Sequence, residues 1–394
     1  MIFHVHYTFS KNSGEIRRIQ NINNDLALTL SDDVIEIAFI STVLFLKRKK
    51  YKFKLNDNIK KKYYIPRIPL SNSNVFALKI DNIWTSFILL ILYIFYKPQY
   101  IISEFSISYR SLLFIPKHTI KIIDIHGALK EEYEYNNIHC NHKLALYYDS
   151  LEKLGLEKSS YVICQSDEMK RYLIQKYNLI NNNIYIYRCA ADINLFYYAP
   201  NLRDTVRKEI GVNDSDILFV YSGGMHKWQK IEESLAFFEL FYKEHKHCYF
   251  LILTLQIDYL NHLINEKFSN INDRIIIKSV SNKDVCKYLN AADIAFLLRD
   301  NVIMNAVASP TKLSEYMACG LSIISMSVAK LWLNNNLKYV FNIEERSINE
   351  LPDFIKHTNH YEIAEYASKF LSLDYDKRQI SNLIRNAKSK QHIN

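Results

Sequence analysis

Along Ala308-Ser-Pro-Thr-Lys-Leu-Ser-Glu-Tyr-Met-Ala-Cys-Gly320, three residue types recur that suit a phosphorylated ligand: a hydroxyl at Ser309, an amine at Lys312 and a carboxylate at Glu315. Ser309 suits a helix N-cap, Pro310 the first helical position and Gly320 the residue just past the last turn, so a helix is expected here, followed by a short buried strand over Leu321 to Ile324. The start of such a helix exposes unpaired N–H groups and a partial positive charge that hold a phosphate, and Lys312 adds a full charge. One turn on, Glu315 reaches a hydroxyl beside that phosphate. The plain alternative is a capped helix packed on a sheet through Leu313, Tyr316 and Met317.

A second stretch with the same chemistry is Ser222-Gly-Gly-Met-His-Lys-Trp-Gln-Lys230, a glycine-bearing loop between an expected strand over Ile217 to Tyr221 and an expected helix over Ile231 to Tyr242. Strand, Gly223-Gly224 and nearby lysines describe a phosphate cradle. Earlier in the chain, Asp124-Ile-His126-Gly127 ends an expected strand that starts at Thr119. A histidine there lies at the mouth of a parallel sheet, where ligands bind.

The elements around these residues alternate between strands and helices. Strands are expected at 2 to 7, Val34 to Ile40, Tyr100 to Ile107, Thr119 to Ile125, Tyr161 to Gln165 and Asn183 to Tyr187, with helices at Glu15 to Leu30, Leu144 to Leu154 and Asp167 to Tyr177. The pattern restarts at Ile217, with strands at Tyr249 to Thr254, Arg274 to Lys278 and Ile294 to Leu298 and helices at Lys283 to Ala291, Tyr361 to Leu371 and Lys377 to Ala387. Such alternation predicts an α/β chain with parallel, doubly wound sheets. The expected partition is 1–197, 198–371 and a C-terminal helix with a frayed tail over 372–394, the helix packing back on the first domain.

With 394 residues, 49% of them hydrophobic, the chain has ample material for two cores. Its seven glycines compare with roughly 28 at average usage, so each retained glycine carries positional meaning. The six cysteines show no paired spacing and read as reduced core thiols. No secretory leader is expected from Met-Ile-Phe-His-Val-His-Tyr, and the apolar run Ile83 to Tyr96 reads as a buried helix too short for a bilayer. The net charge of +9 is local: Lys47 to Lys62 carries nine basic residues against Asp57. Tyr51, Phe53, Tyr63 and Tyr64 interleave with those charges, which suits an anionic membrane face better than nucleic acid, since no nucleic-acid-binding motif accompanies them.

Taken in order, these stretches resemble the retaining glycosyltransferases of the GT-B fold, family GT4, which build bacterial surface polysaccharides such as capsule and O-antigen. The matching residues are Gly14 with Arg17 and Arg18; Asp124-Ile-His126-Gly127 with Glu131-Glu132; Gln165-Ser166; Cys189-Ala-Ala-Asp192 to Phe196; Ser222 to Gln229; Tyr288-Leu-Asn-Ala-Ala-Asp293; Leu298-Arg299; and Ser309 to Gly320. The resemblance implies two Rossmann-like domains with parallel sheets facing a central cleft. The nucleotide-sugar donor would lie on the C-terminal domain and a glycan or undecaprenyl-linked acceptor on the N-terminal one.

By that resemblance Glu315 holds the donor ribose and His126 lies near the donor sugar and acceptor hydroxyl. Gly14, Gly223, Gly224, Lys230, Arg299, Asn305, Ser309, Thr311 and Lys312 line the donor site, Lys227 is the favoured diphosphate cation, and Arg17 and Glu131 stand on the acceptor side. Two departures stand out. The family's first glutamate falls on Val307, and Gly224 stands where an arginine is usual. No cofactor or essential metal is implied; Asp214-Ser-Asp216, which has the letters of a metal signature, reads as a turn. Lys47, Arg48, Lys49, Lys50, Lys60, Lys61 and Lys62 would seat the enzyme on the inner face of the cytoplasmic membrane. The competing expectations are a GT-B epimerase of UDP-sugars and a catalytically silent membrane- or glycan-binding protein.

Overall fold

The computed structural model describes residues 1–8, 18–19, 21–22, 24–25, 33–47, 59–68, 74–137, 140–179, 183–334 and 336–391. The chain divides into two compact units, Met1–Arg188 with Asp376–Asn394, and Cys189–Tyr375.

In unit 1 the strands are β1 (Ile2–Thr8), β2 (Val34–Ile40), β3 (Ile59–Pro66), β4 (Tyr100–Glu104), β5 (Ile120–Ile125), β6 (Tyr161–Cys164) and β7 (Ile184–Ile186). They form one sheet in the order β3-β2-β1-β4-β5-β6-β7, and each described pairing is parallel. Helices cover parallel sheets on both faces, which is why β2 and β5 are buried at every residue and read as near-continuous apolar runs. The last helix, Leu373–Gln391, returns to this unit and buries Ile380, Leu383, Ile384 and Ala387 in a core with Ile2, Tyr100, Ile122 and Tyr161.

Unit 2 holds β8 (Ile217–Ser222), β9 (Cys248–Leu253), β10 (Ile275–Lys278), β11 (Ile294–Phe296), β12 (Ser322–Ser325) and β13 (Val340–Asn342), in the parallel order β10-β9-β8-β11-β12-β13. Alternate residues of β8 enter opposite cores: Leu218 and Val220 pack in one, Phe219 and Tyr221 in the other. In both sheets the strand order reverses beside the first strand, between β1 and β4 and between β8 and β11. The crevice beyond the carboxyl ends of strands at such a point is where open α/β sheets bind ligands.

Several expectations need correction. The strand expected over Tyr100 to Ile107 stops at Glu104, because Phe105 turns to φ 59° and opens a short helix, Phe105–Tyr109. Part of the basic run is a strand: Lys60, Lys61 and Lys62 lie in β3, the edge of the sheet, where lysines discourage further strand pairing. The helix expected from Ile83 starts at Val75, with the Asn74 side chain accepting the Phe76 N–H, and runs 22 residues to Tyr96. It is not a buried helix, since Ile83, Phe87, Ile94 and Phe95 are exposed. The strand Val340–Asn342 lacked any signal, being only three residues long.

Candidate active site

The helix expected around Lys312 spans Thr311–Ala318. Pro310 occupies the N-cap and no side chain caps it; Ser309, expected there, instead accepts the Cys189 N–H at 3.1 Å. The far end follows the glycine logic: Gly320 has φ 78°, its N–H bonds to Met317 O and that of Leu321 to Tyr316 O, both at 3.0 Å, which closes the orphan carbonyls. Tyr316 fixes the helix to the end of β8 by accepting the Ser222 N–H at 2.9 Å.

This anchoring aims Lys312 at the carboxyl end of β8. Its Nζ donates to Gln229 Oε1 at 2.9 Å and to Tyr221 Oη at 3.2 Å, and it lies 4.6 Å from the Tyr221 ring centroid. Arg299, three residues beyond β11 and 7% exposed, donates to the same Gln229 oxygen at 2.5 Å. Two cations from separate elements therefore converge on one neutral amide. Gly223 has φ 144°, which favours glycine, and a Cβ there would sit 2.2 Å from Lys312 Nζ and displace the amine from its place. Burial, then the Arg299 charge, lower the Lys312 ammonium from 10.5 to about 7, against the opposing pull of Glu315.

Other donor-side residues are placed differently. Lys227 is exposed on a one-turn 3-10 helix and lines a surface pocket of about 450 Å³ with His226 and Lys230. Lys230, at φ 52°, pairs with Glu233 at 2.7 Å and Asp300 at 2.8 Å, so carboxylates already compensate its charge. Asn305 is buried with its side-chain amide donating to Asp300 O, and its backbone carbonyl accepts the Trp332 indole N–H. Val307 is buried, 3% exposed. Asp293, which ends the Ala-Ala-Asp stretch, clamps Arg203 and Arg207 and accepts the Leu218 N–H, a structural lock. Asp214 and Asp216 lie in a turn whose Asn213 N–H bonds to Asp216.

In unit 1, His126 follows the end of β5 and its Nε2 stands 2.8 Å from Asp124 Oδ2 and 2.5 Å from Glu104 Oε2. Arg18 forks onto both Asp124 oxygens at 2.8 and 2.6 Å, and His4 of β1 bonds the other Glu104 oxygen. Burial disfavours the His126 cation, but Asp124 and Glu104 outweigh it and raise the imidazole to about 10. Burial likewise opposes the Glu104 carboxylate, and His4 and His126 hold it well below the usual range. The Phe105 ring, on the backbone outlier, lies 3.9 Å from the His126 ring centroid. A non-glycine residue at positive φ costs of order 1–3 kcal/mol and clusters at functional sites.

Glu104, Asp124 and His126 offer ligand atoms within 4.8 Å of one another, as do Glu134, Cys140 and His142. In the first group Arg18 and His4 already occupy carboxylate oxygens, the chemistry of an ion-pair network rather than of a cation cage. Glu131 is engaged elsewhere, 3.1 Å from Lys176 Nζ, which also pairs with Asp149. Gly14, Arg17, Arg48, Lys49 and Lys50 lie outside the described residues, and of Lys47 only the helical backbone is described. Lys60 and Lys61 are exposed, Lys60 pairing with Asp33, and Lys62 pairs with the buried Glu36, which also holds His6 at 2.7 Å.

No family model matches the sequence, and no curated protein matches it either. Solved structures do. Sucrose-phosphate synthase from Thermosynechococcus elongatus superposes with a TM-score of 0.71 at 13% identity, covering 99% of this chain and 100% of that one. WaaG, a glycosyltransferase involved in lipopolysaccharide biosynthesis, gives 0.67 at 13% identity over 98% of this chain and 99% of that one. Anabaena HepE in complex with UDP-glucose gives 0.64 at 12% identity over 98% and 99%.

The chain has the GT-B fold.

Of the residues foreseen for the donor, the structure brings Gly223, Arg299 and Lys312 together, while Lys227 is exposed and Lys230 is paired with Glu233 and Asp300. Sequence reasoning missed Gln229 and Tyr221, which orient Lys312, and Glu104, which holds His126 and is itself held by His4. A carboxylate ending the apolar β4 and a histidine inside β1 were the available signals.

Proposed function

We propose that the protein is a retaining glycosyltransferase that moves a sugar from a nucleotide-diphosphate donor to a glycan or undecaprenyl-linked acceptor in surface-polysaccharide synthesis. The observation that carries this reading is the convergence of Lys312 and Arg299 on Gln229 Oε1 at the switch point of the unit 2 sheet. A diphosphate placed there would accept from both side chains and restore the Lys312 charge that burial and Arg299 lower. Glu315, one turn along the same helix, is the candidate for the ribose hydroxyls. HepE was solved with UDP and with UDP-glucose, which makes a UDP-sugar the first donor to test.

In the proposed reaction the leaving diphosphate takes the acceptor proton while Lys312, Arg299 and the N–H groups of Thr311 and Lys312 stabilise its developing charge. No protein nucleophile and no essential metal is required. His126, an imidazolium between two carboxylates, has no lone pair to accept a proton, so its proposed role is to present positive charge and a fixed ring. The enzyme would work at the inner face of the cytoplasmic membrane, with Lys60 and Lys61 among the lysines that attract anionic lipid.

Calorimetric titration of UDP, GDP, CDP and ADP into wild type, Lys312→Ala and Glu315→Ala tests the donor site. One nucleotide is expected to bind and to weaken in both variants. Equal binding to wild type and both variants, or none to any, rejects it. EDTA treatment is expected to leave transfer unchanged. A second reading, a catalytically silent GT-B protein, is favoured by the buried Val307 in place of the first glutamate. It predicts nucleotide binding without turnover of any nucleotide-sugar, whereas an epimerase would form product from the nucleotide-sugar alone.

A further inference from the structure

The helix Val75–Tyr96 is amphipathic in the inverted sense. Its buried residues are Leu78, Asp81, Asn82, Thr85, Ser86 and Leu89, four of them polar. Those polar groups are well used inside unit 1. Asp81 pairs with Arg67 and Arg110 at 3.0 Å, Thr85 accepts the Tyr7 hydroxyl, Ser86 donates to Arg110 O, and Asn82 donates to Tyr147.

The opposite face carries Phe76, Ile80, Ile83, Trp84, Phe87, Ile91, Ile94 and Phe95, all exposed, from 37% at Ile91 to 78% at Phe95. At 100° per residue these eight fall within an arc of about 120°, a continuous stripe along five turns with no charged residue in it. The surrounding surface extends the patch. Thr42 and Trp84 donate to the consecutive carbonyls of Arg67 and Pro66, which brings the exposed Val43 beside the stripe. Leu113 and Phe114, also exposed, follow the short 3-10 turn Arg110–Leu112, whose Arg110 carbonyl accepts the Ser86 hydroxyl.

We infer that this face docks into the interfacial layer of a lipid bilayer, with the helix lying in the membrane plane. The inference deepens the membrane reading above and does not depend on sugar transfer. A helix satisfies its own backbone groups, so its outer face meets hydrocarbon without needing directional partners. Charge complementarity selects lipid as the occupant. Lys61 Nζ reaches the Tyr96 hydroxyl at 2.9 Å, which puts this exposed lysine of β3 at the C-terminal end of the stripe, and Lys79 and Lys97 are exposed on or beside the helix. Basic groups flanking an apolar face suit anionic headgroups above acyl chains. By length and composition alone the helix is long enough to cross a membrane, but its inner face is tied to unit 1 by the Asp81 ion pairs, so only the outer face is available to lipid.

Flotation with phosphatidylcholine vesicles containing 30% phosphatidylglycerol, at low and at 0.5 M salt, is the test. Wild type is expected to float, and to remain bound in part at high salt. Phe87→Glu with Ile91→Glu, checked for folding by circular dichroism, should reduce binding at least tenfold. Brominated lipid should quench tryptophan emission, and Trp84→Phe should abolish most of that quenching. Binding that salt strips completely and that the double variant retains would overturn the apolar docking while leaving the lysine attraction standing. No flotation at all would overturn both. A wild-type dimer that the double variant splits, without vesicle binding, would assign the face to a second copy of this chain instead.

Discussion

The two charged clusters of this protein are built on the same sheet geometry and settle their charge in opposite ways. In unit 1 the cations Arg18 and His126 face the carboxylates of Asp124 and Glu104; against burial, these carboxylates raise the His126 imidazole to about 10, and His4 and His126 hold Glu104 well below its usual range. In unit 2 the two cations Lys312 and Arg299 share a neutral oxygen, and Lys312 is driven toward its uncharged form. The first cluster sets its cations against carboxylates; in the second, the proposed function supplies the anion. A buried polar network that closes on itself holds a structure, and one that stays charge-imbalanced is a candidate for binding.

The sharpest way to break this contrast is to remove one cation from each. Arg18→Ala leaves the buried Asp124 with His126 as its one cationic partner among the described residues and should cost about 3 kcal/mol in urea unfolding, the low end for a broken buried pair. Lys312→Met should leave stability at pH 6 equal to or above wild type, because it removes a cation whose burial is unfavourable, yet weaken nucleotide binding about 10- to 150-fold in calorimetry, the equivalent of a charged hydrogen bond of 1.5–3 kcal/mol. A Lys312→Met protein that unfolds as readily as Arg18→Ala would mean that both clusters are structural.

Smaller effects sharpen it. Gly223→Ala places a Cβ on Lys312 Nζ and strains a positive φ, so nucleotide affinity should fall about tenfold with a loss of stability of about 1–2 kcal/mol. The pH dependences should also differ in sign. His126 is raised from 6.5 to about 10, so its contribution is complete below 6.5 and is lost as pH rises through 10. The stability difference between wild type and His126→Gln should therefore shrink over that window. Lys312 is lowered from 10.5 to about 7, so the unfolded chain binds more protons between those values and this group makes stability rise with pH there. A bound diphosphate would return its proton, so nucleotide titrations near pH 8 in buffers of different ionisation enthalpy should reveal uptake of up to one proton, absent in Lys312→Met. Lys227→Ala, on an exposed turn, should change nucleotide affinity less than threefold.

Much of the secondary structure was readable because apolar runs bounded by glycine and polar turns leave few alternatives for a buried parallel strand; Val34–Ile40 and the helix Asp167–Tyr177 have the boundaries expected for them. The lysine-rich β3 was hidden because an edge strand need not be apolar on both faces. The long helix was misread because hydropathy registers apolar content and not its direction, and here Asp81 and Asn82 point inward.

From the sequence alone came the two α/β units, the glycine at 223, the helix that carries Lys312 and Glu315, and the histidine at the mouth of the first sheet. These follow from local rules: periodicity, caps, and the need for glycine where the backbone turns. Only the tertiary structure decided which lysine meets Gln229, that Arg299 joins it there, and that Glu104, itself held by His4, locks His126. Such pairings join residues 22 to 100 positions apart through the sheet order, and a side chain's charge state depends on burial and on neighbours that no local spacing specifies.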